Sequence, residues 1–301
     1  MSALRALFQL LVFPGVLYAV PAAFVMEWLQ RKINARLQGR IGPPFYQPFY
    51  DFVKLLGKEP IERPALQGFV MTGLPIGAIG ATLGAIALLP IFPAGAGFPG
   101  DLVLLVALIE IGPLLAVLAG FASRSLWGGL GASREAVMTV AYNLPFLTAM
   151  IALAITSGLS LTGMAVGASL PVRFLALAAI LLCLPAKLHL NPFSVASAEQ
   201  EIYAGATTEY DGPRLALWEL AHALEWVALA GLVAVLGFPI ANAAWPWHLV
   251  AFIVISLAVV VLLSVAAAET ARLKLAQAAR WFWLWGLLVA LSALVLSFVR
   301  I

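Results

Sequence analysis

The chain is built from apolar segments of about 20 residues separated by polar connections, and that spacing sets the fold. A helix of this length crosses a hydrocarbon core of about 30 Å, whereas soluble domains seldom sustain such runs. Eight segments qualify: Leu4 to Trp28, Gly68 to Leu89, Leu102 to Ala122, Val137 to Ser157, Val172 to Leu190, Leu215 to Phe238, Trp247 to Ala268 and Trp281 to Val299. Hydrophobic residues make up 63% of the 301 positions and charged residues 10%. Soluble domains carry about 25% charge, so the expected class is an all-α polytopic membrane protein with about eight transmembrane helices. Residues 1–301 read as one integral membrane domain with charged loops at 27–64 and 187–214. The first segment exceeds a signal-peptide core and shows no small-residue cleavage pattern before Glu27, so it is expected to stay as a helix.

Charge excludes several functions and orients the chain. A net charge of +3 is too small for a nucleic-acid surface. All basic residues except Arg5, Arg173 and Arg300 fall on alternate connections, which the positive-inside rule places in the cytoplasm with both termini outward. The single cysteine, Cys183, lies in an apolar run; it can close no intramolecular disulfide and builds no cluster or zinc site. No metal or other cofactor is expected in this chain.

The first charged island, Glu27 to Pro64, is broken by Gly42-Pro43-Pro44, because proline lacks an amide donor and restricts the residue before it. From Tyr46 onward Phe49, Phe52, Val53, Leu55 and Leu56 recur at helical spacing, which predicts a short amphipathic helix at the membrane interface. Two readings stay open: a surface anchor, or the roof of a cavity. The second island, Glu199 to Pro213, holds Glu199, Glu201, Glu209 and Asp211 between two apolar spans.

Charges inside the spans carry more information, since carboxylates are costly in a bilayer and are kept there for moving charge or docking a partner. Glu110 precedes a Gly-Pro pair near mid-span. Glu219, His222 and Glu225 recur every three residues and so share one helix face. These four point to a proton pathway. Lys187 reads equally as a pathway residue or as a cation snorkelling to the interface. Glu135 beside Arg134, and Glu269 near Arg272, lie at predicted helix ends, where interfacial ion pairs are the simpler reading. Thr139, Tyr142 and Asn143 read as hydrogen-bonding groups between helices.

Two stretches carry a family resemblance. ARLQGRIGPPFYQPFYDFVKLLGKE from Ala35 and NPFSVASAEQEIYAGATTEYDGP from Asn191 resemble signatures of the complex I subunit 1 family, and SREAVMTVAYNLP from Ser133 is a weaker third match. The short segment between Gly42-Pro43 and Gln47-Pro48 is similar to the branch of membrane-bound, energy-converting nickel-iron hydrogenases of the Ech or formate-hydrogenlyase type. The resemblance implies a non-catalytic connector that couples ferredoxin oxidation and proton reduction in a peripheral arm to proton or sodium translocation. Nickel-iron and iron-sulfur centres would then sit in partners: hydrogenase large and small subunits, an iron-sulfur subunit and antiporter-like membrane subunits. Carried over by position, Glu199, Glu201 and Glu209 join Glu110, Glu135, Lys187, Glu219, His222 and Glu225 as a proton path. Arg36, Arg40, Asp51, Lys54 and Glu59 become the docking surface. The alternative is the quinone-site subunit of a complex I-like oxidoreductase, and a stand-alone ion transporter is a third class. Ser194 and Asn143 stand where the family usually carries acids, which thins the carboxylate path.

Overall fold

The computed structural model describes residues 11–91, 100–161, 163, 169–237 and 247–299, apart from the side chains of Glu199 and Gln200. It is all-α, with helices α1 (Val16–Leu37), α2 (Gln47–Leu56), α3 (Ala65–Leu88), α4 (Asp101–Ala122), α5 (Leu126–Ser157), α6 (Leu170–Lys187), a single turn α7 (Glu199–Ile202), α8 (Gly212–Gly237), α9 (Trp247–Glu269) and α10 (Leu275–Phe298). Seven of the described helices, α3 to α6 and α8 to α10, are long and apolar enough to cross a membrane.

Three boundaries depart from the sequence expectation. The predicted first span begins among residues outside the described set, and its helix runs on to Leu37, so Glu27, Arg31, Lys32 and Arg36 ride on α1 rather than in a loop. α5 begins eleven residues before Val137, taking Arg134 and Glu135 into the helix. α10 begins at Leu275, six residues before Trp281. Each extension adds polar turns that hydropathy alone does not count as membrane-spanning. Packing against neighbouring helices keeps them helical.

α8 is the central helix, packed against α1, α2, α3, α6, α9 and the edge of α4. Its sequence permits this. Small residues such as Ala221, Ala228, Ala230 and Ala234 are buried on several faces, and they let neighbouring backbones approach closely where hydrophobic driving force between helices is weak. A Cβ at Gly231 would sit 2.8 Å from Leu89 Cδ1 and 3.1 Å from Phe252 Cζ. α10 packs on α5 and α6 and carries a π-helical turn, Phe282–Gly286, where Gly286 meets Pro145. Prolines and π turns both interrupt the regular hydrogen-bond ladder, and here they face each other.

The predicted amphipathic helix exists as α2. It lies on α1 through edge and tilted contacts of Phe24 with Phe49 and Phe52, while Tyr46, Phe49, Tyr50 and Val53 are exposed. The acidic loop packs back onto the bundle at Gly205, whose φ of +59° is open to glycine and whose backbone faces Gly131 of α5. A Cβ on Gly131 would meet the Gly205 and Ala206 backbone at 2.5 Å, a distance that flexible side chains cannot relieve. Gly131→Ala is therefore expected to lift the acidic loop from α5 and cost about 1–3 kcal/mol. Faster limited proteolysis within residues 196–209 would report it, and an unchanged digestion pattern would contradict it.

Candidate functional site

The charged groups that the sequence scatters over six segments converge in the fold on one line through the bundle. It starts where α1 and α2 meet. Arg31 of α1 pairs with Glu27 one turn earlier, and its Nη1 donates to Asp51 Oδ2 of α2 at 3.0 Å. Gln47 Nε2 donates to the other Asp51 oxygen at 2.7 Å. Trp28 Nε1 and Lys32 Nζ donate to the carbonyl of Pro43, holding the Gly-Pro-Pro turn against α1. Asp51 thus fastens α2 to the bundle. Arg36, Arg40, Lys54 and Glu59 of the same predicted docking set are exposed.

Beneath α2 lies a cavity of about 160 Å³ lined by Glu27, Asp51, Phe52 and Glu219 among others. A second cavity of about 390 Å³ continues inward past Glu27, Glu219, His222, Glu225, Glu135 and His189. The three-residue stripe of α8 faces this space, as its periodicity predicts. His222 Nδ1 lies 3.3 Å from Glu225 Oε2, and the His222 ring stacks on His189 with centroids 5.4 Å apart.

His189 reaches the site through its backbone. It ends α6 in the left-handed region, φ 52°, with its amide donating to Ala186 O and the next amide to Pro185 O. Glycine is the usual residue at such a helix end, because a Cβ there is strained. Histidine at this position turns its ring into the cavity, where Nε2 sits 3.1 Å from Glu135 Oε2. Glu135 is therefore a buried partner of His189, 3% exposed, and does not form the expected interfacial pair with Arg134. Arg134 reaches Glu201 instead, 2.6 Å away. Arg272 likewise donates to Ser194 Oγ, and no pair with Glu269 forms.

His189 lies beyond the end of its helix and is about a third exposed to the cavity. Burial alone would lower its pKa, but the Glu135 carboxylate, by charge and hydrogen bond, and then Glu225 raise it to about 9. A histidine in the unfolded chain titrates near 6.5. The pair therefore contributes its full stability below about pH 6.5 and loses it as pH rises through about 9. The thermal midpoint of the purified protein is expected to fall across that window, and the slope should flatten in His189→Gln. Equal slopes in both proteins would sink the assignment.

From Glu135 a run of side chains continues along α5. Thr139 Oγ1 lies 3.4 Å from Glu135 Oε1 and 3.1 Å from Tyr142 Oη. Above the Tyr142 and Phe146 rings, at 4.7 and 4.4 Å, sits the ammonium of Lys187. Its Nζ lies 2.6 Å from Glu110 Oε1 and 3.1 Å from Asn143 Oδ1, and Asn143 Nδ2 donates to Glu110 Oε2 at 2.5 Å. Lys187 is 3% exposed, so it does not snorkel. It is held inside by a carboxylate, an amide and two aromatic faces, which together replace the water it has lost.

Glu225 joins the two halves. It lines the large cavity and also a void of about 10 Å³ whose wall includes Lys187, Pro113 and Thr82. That is room for about one water molecule. Gly112 of α4 makes space for the carboxylate, because a Cβ there would lie 2.8 Å from Glu225 Oε1. Such an arrangement can hold a proton at Glu219, Glu225, His222, His189 or Glu135 and exchange it through hydroxyls and water.

Two sequence-predicted path residues fall elsewhere. Glu201 is tied to Arg134 at the edge of the acidic loop, and the Glu209 carboxylate lies 3.8 Å from Arg63 while its carbonyl accepts from the same guanidinium. Both serve to fasten loops. Asp211 does the same, accepting from the Ile61 amide and from Arg214. The side chain of Glu199 lies outside the described residues. Among the described residues no group of three or more His, Cys, Asp and Glu is placed to hold a metal ion.

The sequence from residue 9 to 298 matches the family described as NADH dehydrogenase. The chain belongs to that family. Within it this is a subunit 1 membrane protein of the complex I-like kind. The whole fold is also similar to a chain in the structure of the membrane-bound sulfane sulfur reductase, an archaeal respiratory membrane complex, with 28% identity, a TM-score of 0.86 and 98% of each chain covered.

Proposed function

We propose that this chain is the connector subunit of a complex I-like respiratory membrane complex, passing redox-driven changes in a peripheral arm to ion movement in the membrane. One observation carries this reading: titratable side chains run from a cavity bounded by α1, α8 and the acidic loop, and neighbouring α2, to the buried Lys187–Glu110–Asn143 cluster. The arm docks on Arg36, Arg40, Lys54 and Glu59, on the end of the bundle that faces the cytoplasm. Charge shifts there are felt first at Glu219 and Glu225, then at His189, Glu135 and Lys187. A buried carboxyl or lysine changes protonation when a neighbouring charge moves, so each redox step displaces protons along the line.

The partner chemistry of this reading is that of an energy-converting hydrogenase, oxidising ferredoxin and reducing protons, with nickel-iron and iron-sulfur centres in the hydrogenase subunits. The short Gly42 to Gln47 segment supports that branch. The likeness to the sulfane sulfur reductase chain favours a second reading, in which the same connector serves a sulfur-compound reductase. Purifying the intact complex in mild detergent separates them. The hydrogenase reading expects stoichiometric nickel and hydrogen evolution from reduced ferredoxin in quinone-free liposomes. A nickel-free complex that reduces polysulfide overturns it in favour of the second, and strict dependence on added quinone overturns both.

A further inference from the structure

The cavity of about 160 Å³ beneath α2 is lined by three carboxylates, Glu27, Asp51 and Glu219, and by one cation, Arg31. It has room for several water molecules. Like charges gathered in a poorly solvated space favour uptake of a proton by one of them, so this imbalance makes the cavity a place where a proton is taken up. Which carboxylate takes it depends on the guanidinium. Arg31 is forked between two elements: Nη2 pairs with Glu27, one turn earlier on α1, and Nη1 donates to Asp51 Oδ2 of α2 at 3.0 Å. Glu219 forms no ion pair among the described residues.

The two partners of Arg31 stand on different sides of it. The Asp51 side chain is 41% exposed and lines the cavity beneath α2 alone, whereas Glu27 is 18% exposed and, with Arg31 and Glu219, also lines the inner 390 Å³ cavity that holds His222 and Glu225. Glu27 therefore stands between the two spaces. Asp51 rides on the same short helix as the exposed Lys54, one turn further on, where the peripheral arm docks in the reading above. α2 lies between Gly42, with φ +76°, and the terminal Gly57, so it is tied to the chain by flexible positions at both ends. A partner that shifts α2 carries Asp51 with it, and Asp51 carries the guanidinium.

We propose that Arg31 is the gate of the proton line and Glu27 its loading group, a role that rests on the connector function proposed above. With α2 seated, the guanidinium lies against Glu27 and holds its carboxylate ionised. When α2 draws Asp51 outward, Arg31 follows, and Glu27 takes a proton from the water of the cavity beneath α2. Return of the guanidinium expels that proton into the inner cavity, toward His222 and Glu225, because an adjacent opposite charge favours the carboxylate over the acid. A planar fork is needed for this. A lysine ammonium is a point charge and does not hold two carboxylates from two helices in one fixed geometry.

The test is ion movement per electron transferred by the intact complex in liposomes, together with redox-triggered infrared difference spectra, which record protonated carboxyl groups. Glu27→Gln is expected to lower ion movement per electron about tenfold or more and to remove one protonated-carboxyl band. Asp51→Asn leaves Arg31 on Glu27 and should cause the same loss and remove the same band. The double variant should be no worse than either single one, because both lesions act on one relay. Arg31→Lys keeps the positive charge, and its ion movement per electron should fall as far. Normal ion movement per electron in the Asp51→Asn or Arg31→Lys complexes that assemble would overturn the gate and leave Asp51 a purely structural tie. Normal coupling in Glu27→Gln, with coupling lost in Glu225→Gln, would overturn the loading role of Glu27 while the connector reading stands. Normal coupling in both would sink the two together.

Discussion

Lys187→Met is expected to be the most damaging single replacement in this chain. The side chain is 2% exposed and its one carboxylate partner among the described residues is Glu110, 21% exposed, so removing the ammonium leaves a half-buried carboxylate held by Asn143 alone. Breaking a buried pair from one side costs on the order of 3–5 kcal/mol, far more than the pair itself contributes relative to an apolar replacement. The variant should lose most of its cooperative thermal transition in detergent and most of its assembly. Adding Glu110→Gln removes the stranded charge as well. The double variant should then recover assembly to near wild type while ion translocation stays abolished. If Lys187→Met alone assembles normally, the cluster is not the electrostatic centre described above.

Glu225→Gln separates folding from coupling. Glutamine keeps the size and can still bond to His222, so assembly should be close to wild type. The carboxylate, however, is the one side chain that lines both the 390 Å³ cavity and the water-sized void beside Lys187. Ion movement per turnover in reconstituted liposomes is expected to fall by about tenfold or more, the scale on which losing a positioned proton-transfer group acts. Glu219→Gln should have a smaller effect, because Glu219 forms no ion pair among the described residues and faces open cavity. Normal ion movement in the Glu225→Gln, Glu219→Gln double variant, with normal electron transfer, would exclude the stripe as a required route.

Some of the site was legible before any coordinates. Glu219, His222 and Glu225 stand out because three-residue spacing inside an apolar run puts them on one face, and the fold turns that face to the cavity. Glu110 stands out for its depth. Three members were hidden or misread. Glu135 looked like a helix-end residue because hydropathy starts its span eleven residues late. Arg31 was one cation among seven in its island. His189 gave no periodic signal, since it acts from a left-handed helix terminus and not from a helix face. Conversely, Glu201 and Glu209 enter the path only through the family resemblance, and in the fold arginines from distant segments pair with both.

The sequence by itself determined the class, the rough placing of the seven described spans and the inventory of intramembrane charge, because a bilayer imposes length, apolarity and the expense of every ion locally, residue by residue. Three pairs are local, Arg31 with Glu27, Arg214 with Asp211 and His222 with Glu225, but the rest were decided only by tertiary structure. The partners of Lys187 lie 77 and 44 positions away, the α2 partner of Arg31 lies 20 away and the acidic partner of Arg134 lies 67 away. Such contacts depend on how α4, α5, α6 and α8 pack, on glycines at 112 and 131 that let backbone or carboxylate come close, and on a loop that folds back through Gly205. Local propensity contains none of that geometry. An ion's pairing in low dielectric follows distance in space, and in this bundle sequence separation says little about that distance.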